Sequence, residues 1–228
     1  MSQWLHPGIH AVFFDAVGTL LFPQPPAPEV YRLIAEKQGV ELPFEAVRER
    51  FHTAYRLEEA ADLANGWTTS EERERERWHK IVAFTLHSLP DPEAGFFDLY
   101  EHFAQPTSWR LHEDAERVFA SLQQRGVKLG LGTNFDSRVH RAIEGISTMA
   151  PLYGRVVVSS AVGFRKPAKE FFDEVVRVAG CEANEVLFVG DDLQNDYEGA
   201  RAAGLEAVLF DPLERANGER ISSLLELL

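Results

Sequence analysis

The chain has 228 residues, enough for one large domain or a core with a smaller insert. Its composition, 45% apolar and 26% charged, is globular and excludes disordered and collagen-like classes. The net charge of −13 argues against a dedicated nucleic-acid binder, and the single cysteine, Cys181, excludes an internal disulfide.

The first strong element is Ala11-Val12-Phe13-Phe14, a continuous apolar run ending at Asp15, as expected of a buried parallel strand. A turn at Gly18-Thr19 follows. The proline-rich stretch 23–28 reads as a semi-rigid linker. From Glu29 to about Ala104 the periodicity is helical. Val30, Leu33 and Ile34 share one face, and Phe44, Val47, Phe51 and Tyr55 another. Thr69 with Glu72 has the spacing of a capping box for a third helix carrying Trp78, Ile81, Val82 and Leu86 inward. Asp91-Pro92 opens a fourth, with Phe96, Phe97, Tyr100 and Phe103 as its core. The charge run from Glu71 to Arg77 reads as a solvated face. After Trp109, helix and strand alternate. Helices are expected near 113–125, 137–146, 195–203 and from Pro167 to about Gly180, with one more at the C-terminus. Strands are expected over 127–131, 155–158, 186–189 and 207–210. Repeated strand–helix units predict an α/β fold, a Rossmann-like parallel sheet with right-handed crossovers, carrying an inserted all-helical domain. The expected division is a core of residues 1–22 and 105–228 and a helical cap of residues 23–104.

In such sheets ligands bind beyond the carboxyl ends of the strands. Those ends carry Asp15, Thr133-Asn134 and Asp191-Asp192, with Lys166 in a neighbouring loop. Asp15, Asp191 and Asp196 are hard oxygen donors of the kind that hold Mg²⁺. Thr133 and nearby backbone N–H groups suit an anion, and Lys166 adds positive charge. A metal, a lysine and an oxyanion together point to a phosphoryl group, with Asp15 placed to form an aspartyl phosphate.

The sequence resembles the haloacid dehalogenase (HAD) superfamily through four motifs in order. They are Phe14-Asp15-Ala16-Val17-Gly18-Thr19-Leu20, Gly132-Thr133-Asn134, Lys166-Pro167, and Gly190-Asp191-Asp192 with Asp196. Thr107-Ser108-Trp109, Thr133-Asn134-Phe135-Asp136 and Asp196-Tyr197-Glu198-Gly199 are most similar to its group named HAD-like hydrolase domain-containing protein three. The resemblance implies a Rossmann-like core, a helical cap and Mg²⁺-dependent phosphoryl transfer on a small phosphorylated molecule. It implies Asp15 as nucleophile, and Thr19, Thr133, Asn134 and Lys166 as phosphate-binding residues. It implies Asp15, Asp191 and the Val17 backbone carbonyl as metal ligands, with Asp192 and Asp196 in support.

One position departs from the pattern. Most family phosphatases carry a second aspartate two residues past the nucleophile, as general acid and base, and here that residue is Val17. Two alternatives therefore stand beside the phosphatase reading. One is a weakly active or non-catalytic binding protein. The other is a metal-independent dehalogenase, although Phe172 stands where dehalogenases carry a tyrosine. His52 and His79, on the expected cap helices, are candidates for a replacement acid. Phe51, Tyr55, Arg56 and Trp67 are candidates for specificity. With no signal peptide in the opening MSQWLHPGIH and no run of about 18 apolar residues, the expectation is a cytoplasmic monomer or small homo-oligomer, binding neither nucleic acid nor membrane.

Overall fold

A computed structural model describes residues 4–214 and 219–228, so the first three residues of the opening segment lie outside it. The sheet is built around β1 (Ala11–Phe14), which pairs in parallel with β4 (Lys128–Thr133) and β6 (Val186–Gly190). β5 (Val156–Val158) extends it on one side, β7 (Glu206–Phe210) and β8 (Arg220–Ile221) on the other, in the order β5-β4-β1-β6-β7-β8. All its pairings are parallel, so both faces must be covered. The period of two in β1 divides its side chains accordingly. Val12 and Phe14 join a cluster with Phe119 and Leu122 of α5 (Ala115–Gln124) and Val139 and Ile143 of α6 (Arg138–Glu144). Ala11 and Phe13 join another with Phe171, Phe172 and Val175 of α8 (Lys169–Ala179). A short helix, α7 (Ser159–Val162), precedes α8.

Between β1 and β4 the chain leaves the sheet. β2 (Leu21–Pro23) and β3 (Trp109–Leu111) form an antiparallel ribbon, and between them lie α1 (Ala27–Lys37), α2 (Phe44–Ala64), α3 (Glu71–Thr85) and α4 (Pro92–His102). This helical unit has its own apolar cluster, built on Val30, Tyr31, Val47, Val82, Phe96 and Leu99. Its second attachment is made by backbone. Thr69 N–H donates to Gly163 O and Arg165 N–H to Trp67 O. Trp67 sits in the left-handed region at φ 61°, directly after Gly66 at 64°, and this turn swings its carbonyl to Arg165.

Several local expectations are corrected. Ser70, not Thr69, caps α3, accepting from Arg73 N–H, while the Thr69 hydroxyl donates to Glu74. Leu33, Phe44 and Phe97 are exposed, because three-residue spacing alone does not fix which flank of a helix is covered. The linker shortens to residues 24–26, since Pro23 closes β2 and α1 starts at Ala27. α8 starts at Lys169, two residues past Pro167. The expected helix 195–203 is a wide π turn, Leu193–Glu198, followed by α9 (Gly199–Ala202). At the C-terminus β8 and a single 3₁₀ turn, Leu224–Leu227, replace the expected helix. Ser223 and Glu226 form a capping box there, but one turn of chain is too short to sustain an α-helix.

Candidate active site

The strands place the polar residues at one edge. Asp15 follows β1, Thr133 ends β4, Gly190 ends β6, and Lys166 comes from the loop between α7 and α8. The Lys166 Nζ donates to Asp15 Oδ1 at 2.5 Å, to Asp196 Oδ1 at 2.6 Å and to the Gly132 carbonyl at 3.2 Å. Asp15, Asp191 and Asp196 each offer an oxygen within 4.8 Å of the others. Burial alone would push the lysine toward neutrality, but the two carboxylates reverse this and hold its pKa up. Asp191 is raised by burial and then by Asp15 and Asp196, with the Thr19 hydroxyl, 3.2 Å from its Oδ1, opposing weakly. Asp196 is raised chiefly by burial and lowered by Lys166.

Glycine makes this crowding possible. A Cβ on Gly18, at φ 105°, would collide with the Asp191 carboxylate, and one on Gly190 would overlap that of Asp196. The π turn after Asp192 completes the cluster. Asp192 caps it through bonds from Gln194 and Asn195 N–H, while Asp196 Oδ2 accepts from Asp192 N–H at 3.0 Å.

The predicted residues thus converge, with distinct partners. Asn134 accepts from Lys166 N–H at 2.8 Å and donates to its carbonyl at 3.1 Å, fixing the lysine's backbone. Thr133 is buried and accepts from Phe135 N–H at 3.1 Å. Thr19 serves Asp191. Val17 is 39% exposed and lines a cavity of about 400 Å³ that runs from Asp15 into the helical unit. Phe51, Tyr55 and His52 line it too, whereas Arg56 and Trp67 are not among its walls, and His79 bonds Glu93 elsewhere.

Sequence reading missed a buried ion network beneath this cavity. Arg165, next to Lys166, pairs with Glu74 and lies 3.5 Å from Asp62, which also holds Arg73 and Arg77. Glu74 and Arg77 belong to the run expected to be solvated. The helix instead turns these two inward, while Glu72, Arg75 and Glu76 stay exposed. Asp136 and Arg138 form a second buried pair, at 2.6 Å. Spacing three apart, at 74 and 77, was the available signal.

The family profile of haloacid dehalogenase-like hydrolases matches residues 9–204. The chain belongs to that family. A bovine HAD-like hydrolase domain-containing protein 3 (Bos taurus) is 30% identical over 215 residues, covering 89% of this hydrolase and 83% of the relative. A ribulose-1,5-bisphosphate 5-phosphatase of Halopiger xanaduensis is 30% identical over 210 residues, covering 91% and 87%. Among solved structures, the magnesium-bound HAD-hydrolase YfnB of Bacillus subtilis superposes with a TM-score of 0.76 at 23% identity, covering 96% of each chain. That likeness shows the α/β HAD fold. No helix among the described residues of the hydrolase is long and apolar enough to cross a membrane.

Proposed function

We propose that this hydrolase cleaves phosphate monoesters of small molecules, with Asp15 as nucleophile and Mg²⁺ as cofactor. The observation that carries the reading is the buried cluster behind the cavity. When ionised, its three carboxylates and one ammonium leave two negative charges in a largely buried site at the end of the cavity, which one divalent cation balances. Asp15, Asp191 and the Val17 carbonyl would hold the ion, supported by Asp196 and Asp192, and Thr19 orients Asp191. Bound there, the ion supplies charge neutralisation to a phosphoryl group.

The chain's own residues account for the remaining chemistry. An Asp15 carboxylate oxygen attacks phosphorus, the ester P–O bond breaks, and Asp15 becomes an acyl phosphate. Water then attacks the same phosphorus and releases the carboxylate. Lys166 steadies the nucleophile and the phosphoryl oxygens, and Thr133 and Asn134 bind the phosphate beside it. The helical unit, residues 23–104, acts as a cap over the core of residues 1–22 and 105–228, excluding water during transfer. The two relatives, a HAD-like hydrolase and a bisphosphate phosphatase, support this class of reaction. Phe172 speaks against a dehalogenase, since it is fully buried against Phe188 and does not line the cavity.

The test is hydrolysis of a panel of phosphate monoesters with and without Mg²⁺. Turnover should stop in EDTA and fall to background in Asp15→Asn. Equal turnover in that variant, or indifference to chelation, would overturn the reading.

A further inference from the structure

The identity of the departing alcohol is a separate question, and any answer to it rests on the phosphatase reading. Two features of the cavity bear on it independently.

The first is the wall. The helical unit lines the cavity with Tyr31, Phe51, Tyr55, Trp78, Phe96 and Tyr100, among other apolar groups. It contributes no carboxylate, amide or aliphatic hydroxyl to that lining, and its polar groups there are aromatic or cationic, on Tyr31, Tyr55, Tyr100, His52, Trp78 and Arg77. Every arginine and lysine on the wall already has a carboxylate. Arg77 has Asp62, Arg138 has Asp136, Arg165 has Glu74, and Lys166 has Asp15 and Asp196. The Arg138 guanidinium carbon also sits over the Tyr100 ring, 3.5 Å from its centroid. A second phosphate or a carboxylate on the leaving group would enter an aromatic wall whose four cations each already face a carboxylate, with only the Arg77 Nη2 left unbonded. The wall fits a flat, uncharged group.

The second is position 17. Val17 faces the cavity beside Asp15 and has no proton to give. Asp192 is engaged in capping its turn, and Asp191 and Asp196 belong to the buried cluster. Position 17 therefore gives the departing oxygen no proton, and unless His52 on the wall supplies one, the leaving group must be a weak base. A phenol, with a pKa of about 10 as in tyrosine, meets that demand far better than an alkyl alcohol, whose basicity is near that of water at roughly 15.7.

We propose that the substrate is an aryl phosphate, the monoester of an uncharged phenol whose ring packs against the aromatic wall. An Asp15 oxygen bonds to phosphorus as the phosphorus–aryl oxygen bond breaks. The electron pair leaves with the phenolate, which takes its proton from bulk water. Water then attacks phosphorus, the bond to Asp15 breaks with its pair returning to the carboxylate, and the water's proton departs with inorganic phosphate.

The experiment is steady-state kinetics of the full chain with Mg²⁺ on ring-substituted phenyl phosphates of graded leaving-group pKa, alongside glucose 6-phosphate and fructose 1,6-bisphosphate. The aryl esters should exceed the sugar esters by at least about a hundredfold in kcat/KM. Log kcat/KM should fall steeply as leaving-group pKa rises. Val17→Asp should flatten that slope and lift the slowest esters about tenfold, below the 10²–10⁴ of an evolved acid because its surroundings were not shaped to orient it. Sugar phosphates turned over as well as aryl ones would overturn the proposal. So would a flat slope in the unmodified protein, and one that steepens in His52→Gln would assign the proton to His52. Failure to hydrolyse any ester, with Asp15→Asn indistinguishable, would instead sink the phosphatase reading on which the proposal stands. Phenylphosphonate raising the melting temperature no more than methylphosphonate would count against the aromatic wall alone.

Discussion

Asp191 and Asp196 are carboxylates kept in an environment that resists their ionisation, with pKa values pushed up to about 8 and about 7. In the unfolded chain both titrate near 4. Between these limits the folded protein binds more protons than the unfolded one, so stability is lost as pH rises. Without divalent metal, the stability carried by these two groups is full below about pH 4 and lost progressively to about pH 8, so the melting temperature should fall between pH 5 and pH 8. Mg²⁺ replaces the protons, so the rise in melting temperature that it produces should be larger at pH 8 than at pH 6. Scanning calorimetry at both pH values, with and without Mg²⁺, checks this, and an equal or reversed metal effect would count against a cation among these groups. Asp15 and Asp191 were legible in the sequence because each follows a strand, Asp191 directly after Gly190, and Lys166 and Asp196 because they complete motifs of the family that the sequence resembles. Their division of labour was not. That Asn134 holds the Lys166 backbone, and Thr19 the Asp191 carboxylate, depends on contacts between segments 32 and 172 residues apart.

At the scale of elements, α3 joins the helical unit to the sheet domain. Glu71 at its first turn accepts from Ser137 N–H at 3.0 Å, from the Ser137 hydroxyl at 2.7 Å and from the Ser160 hydroxyl. One carboxylate thus ties α3 to the starts of α6 and α7. Glu71→Ala removes these bonds at an exposed position, where the loss is about 1 kcal/mol. Hydrogen exchange in segments 67–70 and 163–165 should quicken by about threefold to tenfold, while amides inside α2 and β1 keep their protection. Unchanged exchange there would mean that the backbone bridge alone holds the contact. The long strands and helices were readable from periodicity, β1 most clearly, because burial on both faces leaves a continuous apolar run. β2, β3 and β8 were not, since proline or arginine interrupts their two or three residues, whereas the equally short β5 is all valine. The π turn was hidden for another reason. Its sequence, Leu193–Glu198, is ordinary helix-forming chain, and it widens where Asp196 is drawn to Lys166 and to the Asp192 N–H.

At the scale of the whole molecule, three apolar clusters divide the described residues. Two lie on the faces of the sheet and one inside the helical unit, with the cavity where the unit meets the strand ends. The two chain crossings run side by side in the β2–β3 ribbon, with Pro23 opposite Trp109 and Leu21 opposite Leu111. That pairing has a consequence for dissection of the protein. Because the entry and exit of the insert already face each other, a two-residue hairpin loop could join Pro23 directly to Trp109 without reshaping the sheet. The shortened protein should fold around its two sheet clusters and still bind Mg²⁺, since Asp15, Asp191, Asp196 and Lys166 all lie outside the excised segment. What it should lose is choice. Stripped of the aromatic chamber, it should treat aryl and sugar phosphates nearly alike, a pair of rates that side-by-side assays would report. Selection of substrate and breaking of the bond would then be separable pieces of one chain, exchangeable at a ribbon three residues wide.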